Sequence, residues 1–319
     1  MISDNGKNRR MEQQTRSEVT VAVITYNSSR TVLETLESIK AQTYERIRLI
    51  ISDDCSTDDT IKVCEKWINR NSTRFVSAEI LTTSVNTGVA GNCNRAWDAC
   101  NSDYLKMIAG DDCLLPDCID SNISYMLNNP SSVVVFSKMQ FFGSKREVKR
   151  YSSYFSPYFF SFFDLSADEQ HKRLVEVANC LPGPTSFFRF SKVRDLNLRF
   201  DERVPFMEDW PMWIKLTEIG VRMDFFHKET VCYRVGRGGL YSDGGIVGGN
   251  FYKSMLYFKF YYQFDYTCKK DKESAVNSFV EEQASFYNET IRKITKSSEY
   301  RVGRFLLSPW RFIQKLFSI

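Results

Sequence analysis

Two adjacent carboxylates, Asp111 and Asp112, are the residues of this chain whose type and spacing most directly suggest chemistry. They follow the apolar segment Tyr104–Ala109, which predicts a strand, and precede Pro116, which predicts the start of a helix. Neighbouring ionised carboxylates repel each other unless a cation compensates them. Mg²⁺ and Mn²⁺ prefer hard oxygen ligands, often one or two carboxylates together with substrate phosphates. The pair indicates either a divalent-cation site or a solvated acidic turn, and alone it favours the turn.

A second pair of carboxylates, Asp53 and Asp54, ends another apolar run, Ile47–Ile51. A buried carboxylate at this place could accept a hydrogen bond from a ring N–H of a nucleotide base. The alternative is capping of the following helix, a role for which Ser56 and Asp58 are well suited.

Polar residues also end the first and third predicted strands. Thr25, Tyr26 and Asn27 follow the run Val19–Ile24, and Asn86 comes after a weaker strand candidate. The Tyr26 ring could stack on a base, or it could border the core. Each signal is weak by itself, but their occurrence at successive strand ends indicates that they serve one ligand.

Strand and helix patterns alternate from Val19 to about Gln140. Repeated strand–helix–strand units imply right-handed crossovers and a mainly parallel sheet with helices on both faces. Ligands of such sheets bind beyond the carboxyl ends of the strands, where these polar residues are concentrated. The prediction is an α/β fold with a mixed, mostly parallel, Rossmann-like sheet. Strands in this half are predicted at Val19–Ile24, Ile47–Ile51, Glu79–Thr82, Tyr104–Ala109 and Val133–Phe136.

The second half contains a further acidic pair, Glu208 and Asp209, at the start of the helical pattern Met207–Ile219. A carboxylate within reach of an acceptor hydroxyl can act as a general base. The alternative is that both side chains only complement the helix dipole, with Pro211 in the first turn.

A possible phosphate-facing cation, Arg234, precedes a glycine-rich segment that runs from Gly236 to Gly249. The arginine could offset the charge of a diphosphate, and the glycines would let the loop move. Plain surface charge is the equally weighted alternative. Strand candidates of the second half are Ser186–Phe190, Arg222–Phe226 and Thr230–Val235.

The composition argues against several classes of protein. The 319 residues carry 43 Lys and Arg against 39 Asp and Glu, and the net charge of +4 is too small to indicate a nucleic-acid binder. Nine cysteines without a Cys-x-x-Cys pair predict reduced thiols. With only two histidines in the chain, acid–base chemistry must rely on carboxylates. No apolar run approaches the roughly 18 residues of a spanning helix, and the polar N-terminus predicts no export signal and a cytoplasmic location.

Five motifs, in order along the chain, resemble those of the GT-A-fold glycosyltransferases of family 2, the large inverting family. The resemblance extends from Val19 to about Ser242, and the order of the motifs makes it specific. The motifs are Val23–Asn27, Ser38–Thr43, Asp53–Thr60, Asn86–Asn94, and Gly110–Asp112 with its trailing Pro116.

The resemblance implies a nucleotide-sugar donor, most often a UDP-sugar. Tyr26 and Asp54 would contact the base, and Asp111 would lie near the ribose and donor sugar. Asp112 would bind Mn²⁺ or Mg²⁺, and this metal ion would bridge the diphosphate. The implied donor site comprises Thr25, Tyr26, Asn27, Asp54, Asn86, Asp111 and Arg234.

The Glu208–Asp209 pair resembles the Glu-Asp motif of the family, which implies that Asp209 is the general base and that Glu208 supports acceptor binding. A metal that stabilises the diphosphate leaving group removes the need for a protein acid there. Two departures stand out. Ala109 occupies a position where many members carry a further aspartate, and the segment after Arg234 lacks the histidine that many relatives use as a metal ligand.

The residue pattern of the chain changes after Gln140, where the alternation of strand and helix patterns ends. This change predicts parts of the chain with different roles. The division is a disordered segment at 1–17, a nucleotide-sugar-binding half at 18–140, an acceptor-binding and catalytic half of the same domain at 141–248, and a helical C-terminal extension at 249–319.

The C-terminal segment Arg301–Phe317 mixes cations with bulky apolar side chains, and residues 289–319 carry seven Lys or Arg against two Glu. Such a tail could lie in a membrane interface, or it could dock on the core as a terminal helix. The membrane interpretation implies a lipid-linked saccharide acceptor in bacterial O-antigen or capsule assembly, at the cytoplasmic face of the inner membrane. This last step rests on association with the family.

Two other classes of function remain. A sugar-nucleotide nucleotidyltransferase has a similar sheet, but it needs a glycine- and arginine-rich loop after the first strand, which Thr25–Ser29 is not. A non-catalytic nucleotide- or glycan-binding module is disfavoured by the joint presence of Asp54, Asp111, Asp112 and Asp209.

Overall fold

The computed structural model describes residues 17–204, 206–236, 249–263, 280–281, 283–285 and 287–289. By its internal contacts the chain divides into two compact units, Met1–Val235 and Gly236–Ile319. The first unit contains the sheet and all the predicted site residues.

The first unit is built on one mixed sheet. Its strands are β1 (Val19–Thr25), β2 (Ile47–Asp53), β3 (Ser77–Leu81), β4 (Tyr104–Ala109), β5 (Cys113–Leu114), β6 (Val134–Gly143), β7 (Phe187–Phe188) and β8 (Met223–Val235). Their order across the sheet is β3-β2-β1-β4-β7-β6-β8-β5. Strand β1 is parallel to β2 and β4, β2 is parallel to β3, and β6 is parallel to β8. Strands β5 and β7 pair antiparallel with their neighbours. The predicted mixed, mostly parallel α/β sheet is therefore confirmed.

Helices follow most of the strands. They are α1 (Val32–Lys40), α2 (Thr60–Asn71), α3 (Gly88–Ala99), α4 (Cys118–Asn128), α5 (Lys145–Arg150), α6 (Pro157–Phe160), α7 (Ala167–Glu176), α8 (Asp209–Glu218) and, in the second unit, α9 (Gly249–Phe258). Short 3₁₀ turns lie at Ser72–Arg74, Gly183–Thr185 and Phe190–Lys192, and a π-helical turn follows α9 at Lys259–Gln263.

The register of the central strands determines where the site can form. The β-branched strand β1 is almost wholly buried, as expected for a parallel strand covered on both faces. In its pairing, Thr25 lies opposite Asp53 of β2, and Ile24 lies opposite Ala109 of β4. The carboxyl ends of these three strands are therefore level, and the polar residues that follow them lie close together.

Strand β4 carries an unusual residue at its centre, because Lys106 is fully buried. Its ammonium group donates to the carbonyl oxygens of Pro184 and Ser186, the latter at 3.2 Å. Burial lowers the pKa of Lys106 to about 8. The lysine thereby ties β4 to the turn at Gly183–Thr185, which lies beside the acidic pair of the second half.

Aromatic side chains connect the helices of this unit to the sheet. The Trp97 ring of α3 meets Phe188, Phe190 and Phe200 edge-on at 4.9 to 5.8 Å between centroids. Trp213 of α8 stacks on Phe188 at 5.9 Å. Such pairs each add about 1 kcal/mol to the burial of the rings. They hold α3 and the amino end of α8 over the same part of the sheet.

The second half departs in detail from the predicted strands. The candidates Arg222–Phe226 and Thr230–Val235 form one strand, β8, whose pairing with β6 shifts register around Lys138. The candidate Ser186–Phe190 yields only the two-residue β7 before a 3₁₀ turn. Strand β5, directly after Asp112, was not predicted.

Of the second unit, the structure describes Gly236, α9 with the π-helical turn that follows it, and residues 280–281, 283–285 and 287–289. There the Tyr252 ring stacks on Tyr287 at 4.2 Å, and Lys253 forms an ion pair with Glu281. The predicted membrane-associating tail Arg301–Phe317 lies outside the described residues. Within the described part of the chain, no helix is both long and apolar enough to cross a bilayer.

Candidate active site

The loop after β1 presents Tyr26 and is tied to the loop after β2. The Tyr26 side chain is 51% exposed. Asn27 adopts a left-handed conformation, with φ of 51°, and its Oδ1 accepts a hydrogen bond from the Thr57 amide at 2.8 Å. Its own amide donates to Ser56 Oγ at 2.8 Å. Asn27 therefore holds the two loops together and leaves the Tyr26 ring open to a ligand.

Thr25 and Asp53 form a buried polar pair beneath this loop. The Thr25 hydroxyl donates to Asp53 Oδ2 at 2.9 Å, and the Ser56 amide donates to Asp53 Oδ1 at 2.8 Å. Both Thr25 and Asp53 are buried. Thr25, which the resemblance assigns to the donor site, thus supports the site from below.

The buried Asp54 carboxylate binds the amino end of α3. The Thr87 amide lies 2.9 and 3.0 Å from its two oxygens, and the Thr87 hydroxyl donates to Oδ1 at 2.6 Å. The Asn86 side chain donates to the Asp54 carbonyl at 3.2 Å, and its Oδ1 accepts from the Gly88 amide at 3.1 Å. Arg95 adds an ion pair to Asp54 at 3.4 Å. Asp54 and Asn86 together position the start of α3 beside the end of β2.

Asp58, one of the residues predicted to cap the helix after β2, binds the first amide of α2, while Asp59 occupies the N-cap position. Asp58 Oδ1 accepts from the Thr60 amide at 3.0 Å, at the start of α2, and its Oδ2 accepts from the Ser29 amide at 3.1 Å. These hydrogen bonds outweigh the effect of desolvation and lower the pKa of Asp58 to about 2. Asp54 is therefore not needed to cap α2.

The carboxylates Asp111 and Asp112 follow β4, and Asp112 is buried. Its Oδ1 accepts from the Arg234 backbone amide at 2.8 Å, and its carbonyl accepts from Thr35 of α1 at 2.7 Å. Burial and the neighbouring Asp111 raise the pKa of Asp112 to about 8, and burial also raises the pKa of Asp111. Without a further cation, the two groups resist being ionised together.

The Arg234 side chain lies against the same acidic loop. Its Nε donates to the Asp111 carbonyl at 2.8 Å, and its guanidinium pairs with Glu34 of α1 at 2.6 Å. The guanidinium also lies 4.3 Å from the centre of the Phe142 ring. The structure thus brings together Asp111, Asp112 and Arg234, which are far apart in the sequence.

The oxygens of Asp111 and Asp112 suit a hard divalent cation, to which the protein would contribute only a few ligands. Asp112 Oδ1 is engaged by a backbone amide, which leaves Oδ2, with Asp111 adjacent to it. No described lysine or arginine side chain forms an ion pair with either carboxylate. Over the described ranges, no group of three or more His, Cys, Asp or Glu side chains could enclose a metal. A cation held here would take its other ligands from substrate oxygens and water.

The second acidic pair, Glu208 and Asp209, lies at the amino end of α8. The Asn179 amide nitrogen is 3.4 Å from Asp209 Oδ2, and the Leu181 amide donates to Asn179 Oδ1 at 2.9 Å. A methyl group built on Gly183 would lie 2.8 Å from Asp209 Oδ2. The Asp209 carboxylate is therefore confined between an oriented amide and a glycine of the neighbouring turn.

A pocket of about 150 Å³ joins this acidic pair to the ends of β1 and β4. Its walls are mostly apolar, and Ala109 contributes to them at the position where a further aspartate was expected from the resemblance. The polar groups that reach the pocket include both carboxylates. Residues lining it include Ile24, Val89, Met107, Ala109, Phe188, Glu208, Asp209 and Trp213.

Burial raises the pKa of both carboxylates of this pocket. Burial and the charge of Asp209 raise the pKa of Glu208 to about 8. Burial also raises the pKa of Asp209, and the nearby Trp213 indole and Asn179 amide offset part of that rise. Because each carboxylate disfavours the ionisation of the other, the two groups resist being ionised together.

Several residues of the site carry little signal in the sequence. Gly183 lies 26 positions before Asp209 in the sequence, and nothing local predicts that the two are in contact. Asn179 and Arg95 match no motif, and their roles follow only from the tertiary structure.

Residues 20–196 match the sequence profile of glycosyl transferase family 2, and the chain belongs to this family. It is similar to chondroitin synthase of Escherichia coli, with 26% identity over 219 residues, 67% of this chain and 28% of that protein. It is also similar to the putative glycosyltransferase EpsE of Bacillus subtilis, with 28% identity over 64% of this chain and 68% of that protein. A third relative is the E. coli UDP-Glc:alpha-D-GlcNAc-diphosphoundecaprenol beta-1,3-glucosyltransferase WfaP, with 23% identity over 75% and 82% of the two chains.

Solved structures share the fold. Staphylococcus aureus TarS 1–349 in complex with UDP-GlcNAc has a TM-score of 0.56 and 18% identity, over 81% of this chain and 70% of that one. The mannosyltransferase PcManGT of Pyrobaculum calidifontis, in complex with GDP-Man and Mn²⁺, has a TM-score of 0.57 and 14% identity, over 94% and 84%. The chain therefore has the fold of these glycosyltransferases.

Proposed function

We propose that this protein is an inverting, metal-assisted glycosyltransferase that moves a sugar from a UDP-sugar to a hydroxyl of a saccharide acceptor. One observation carries the proposal. Strands β1, β2 and β4 end level with one another, and Tyr26 and Asp111–Asp112 follow β1 and β4, while a pocket lined by Ile24 and Ala109 of the same two strands also has Asp209 in its wall. This nearness of the candidate donor-binding groups to the candidate base supports the proposal.

The donor nucleotide would bind along the strand ends. The open Tyr26 ring suits stacking on the base, a contact worth about 1–3 kcal/mol. Asp54 and Asn86 hold the start of α3 in place. The oxygen lone pairs that these two side chains do not use, together with the neighbouring backbone groups, would bind the edge of the base. Thr25 and Asn27 would keep the Tyr26 loop in place.

The diphosphate would lie at Asp111, Asp112 and Arg234. Asp112 Oδ2, with Asp111, would hold Mn²⁺ or Mg²⁺, which when bound acts as a Lewis acid on the diphosphate leaving group. Arg234, fixed by Glu34 and the Asp111 carbonyl, supplies positive charge beside the leaving group. This arrangement makes a protein acid on the leaving oxygen unnecessary.

Asp209 would act as the general base. Its ionised carboxylate accepts the proton of the acceptor hydroxyl while that oxygen forms a bond to the anomeric carbon. The bond between the anomeric carbon and the diphosphate oxygen breaks in the same displacement, so the configuration inverts. Glu208, whose pKa burial and the charge of Asp209 raise, would stay protonated beside the ionised Asp209 and bind the acceptor.

The names of the relatives support the substrate classes. WfaP is named for a UDP-Glc donor and a diphosphoundecaprenol-linked acceptor, and a TarS structure contains UDP-GlcNAc. PcManGT contains GDP-Man and Mn²⁺. We therefore propose a UDP-hexose or UDP-N-acetylhexosamine donor, and a lipid-linked saccharide acceptor of bacterial surface polysaccharide synthesis.

A panel of UDP- and GDP-sugars, assayed for nucleotide release with Mn²⁺, Mg²⁺ or EDTA, tests the proposal. Metal-dependent release from a UDP-sugar is expected. Asp112→Asn should abolish the dependence on metal together with most of the rate, and Asp209→Asn should lose turnover but keep UDP affinity. The exposed Asp195→Asn serves as the matched control and should behave as the wild type. Full turnover in Asp209→Asn, or nucleotide binding without turnover in the wild type, would contradict the proposal.

A further inference from the structure

Trp213 carries a buried polar group whose partner is unaccounted for. Its side chain is 2% exposed, and its indole Nε1 makes no hydrogen bond to any described residue. Leaving such a group unpaired in a protein interior costs about 1–3 kcal/mol, so an orphaned N–H needs an explanation. Trp213 lines the same pocket as Glu208 and Asp209.

The orientation of the Trp213 ring is fixed by its neighbours. Phe136 meets it edge-on, with centroids 5.0 Å apart, and Phe188 stacks on it at 5.9 Å. These contacts leave the ring little freedom to turn its N–H toward another partner. The N–H is therefore held in place before any substrate arrives.

Asp209 is the pocket carboxylate that neighbours Trp213 on α8. It lies four residues earlier on α8, and residues at this spacing are neighbours on one face of a helix. The indole is close enough to favour the ionised form of Asp209, although the two do not meet hydrogen-bond geometry in this structure. A small movement of the carboxylate, confined on its other side by Asn179 and Gly183, would complete the bond.

We propose that the Trp213 indole N–H is a positioning donor for Asp209. When the Asp209 carboxylate ionises, the N–H donates a hydrogen bond to it. This bond directs a free lone pair of the carboxylate at the acceptor hydroxyl. The inference rests on the proposed role of Asp209 as base. Trp213 touches neither the reacting hydroxyl nor the anomeric carbon in this scheme. It acts on the reaction only through the charge and direction of Asp209.

The charged and titratable groups around Asp209 and along α8 come from several elements. Glu208 precedes it, and the buried thiol of Cys93 on α3 faces both carboxylates, which raise its pKa together with burial. The Lys106 ammonium lies behind the Gly183 turn and is bound to its carbonyls. On α7, His171 Nδ1 is 3.1 Å from Thr217 Oγ, farther along α8. Among these described groups, none is a direct donor to Asp209.

The proposal is tested with Trp213→Phe, which keeps an aromatic ring but removes the N–H. A hydrogen bond to a charged group favours ionisation by about one pK unit or more. The rate of UDP release from UDP-GlcNAc or UDP-glucose is measured as a function of pH. The acidic limb of this pH–rate profile should therefore move to higher pH by about one unit. Below the limb, the rate should fall about tenfold. UDP affinity should not change.

Trp210→Phe is the matched control on the same helix. Its indole Nε1 donates to the Leu174 carbonyl at 2.9 Å, away from the pocket. This variant should lose stability without a shift of the acidic limb. An unshifted limb in a folded Trp213→Phe protein, or an equal shift in both variants, would overturn the proposal.

A second measurement needs neither a Trp213 variant nor turnover. In wild-type protein labelled with ¹⁵N-tryptophan, the Trp213 indole resonance should titrate with the midpoint of Asp209, and this titration should vanish in Asp209→Asn. The resonance is assigned by replacing each of the other tryptophans with Phe. A Trp213 signal indifferent to pH and to Asp209→Asn would refute the inference. If instead the resonance titrates but Asp209→Asn turns over normally, the proposed function fails and the contact stands.

Discussion

Gly183→Ala tests most directly whether the position of the Asp209 carboxylate affects the rate of the reaction. The added methyl group would lie 2.8 Å from Asp209 Oδ2, whereas atoms pack without repulsion at about 3.5 Å. Gly183 does not have a positive φ, so alanine fits its backbone. The far end of the Asp209 side chain must therefore yield, and the turn can stay.

The expected loss of rate follows from this displacement. A misplacement of about 1 Å in a reacting group can reduce a rate about 100-fold, so a shift of roughly half an ångström should reduce kcat about tenfold. Stability should be kept or rise slightly, since replacing glycine by alanine lowers the entropy of the unfolded chain. UDP affinity should be unchanged, because Tyr26 and the acidic loop after β4 are not touched.

The assay is initial-rate nucleotide release, with UDP affinity from calorimetry and thermal unfolding as controls. A double-mutant comparison provides the sharper control, because Gly183→Ala should have no further effect in an Asp209→Asn background. A folded Gly183→Ala protein with a kcat within twofold of the wild type would refute the reasoning. So would an equal loss in the Asp209→Asn background.

Two further predictions concern the pocket and the strand ends. The pKa of Glu208 is raised from 4.5 to about 8, so the folded chain retains a proton that the unfolded chain loses. The free energy of unfolding should therefore fall as the pH rises from about 4.5 to 8. Urea titrations should show a shallower fall with pH in Glu208→Gln than in the wild type. Equal slopes of unfolding free energy against pH in the two proteins would contradict this. Tyr26→Ala should weaken UDP binding about tenfold or more in calorimetry, with unchanged thermal unfolding since the ring is half exposed, and unchanged affinity would remove the stacking contact.

The first half of the sheet was predictable because its signals are local. Each parallel strand is a short β-branched or apolar run, and each is followed directly by the polar residues of the site. The rule that ligands bind beyond the carboxyl ends of such strands then brings Tyr26, Asp54 and Asp112 together without coordinates. The family assignment and the sheet are confirmed, while the individual site roles remain predictions.

The second half was harder to predict because its contacts join distant segments. Strand β7 owes its place to pairing with both β4 and β6, and nothing within Phe187–Phe188 limits it to two residues. The long β8 depends on a register shift against β6 that no periodicity reveals. In the same way, Thr87 as the partner of Asp54 and Asn179 as the partner of Asp209 follow only from the tertiary structure.

The buried lysine at the centre of β4 has a consequence for the chain during its synthesis. Strand β4 pairs on one side with β1, which is made earlier, and on the other side with β7, which is made much later. Until β7 arrives, β4 is an open edge, the kind of surface on which nascent chains aggregate. Lys106 keeps a solvated charge in the middle of that edge, and the charge is withdrawn from water only when the Pro184 and Ser186 carbonyls arrive with β7.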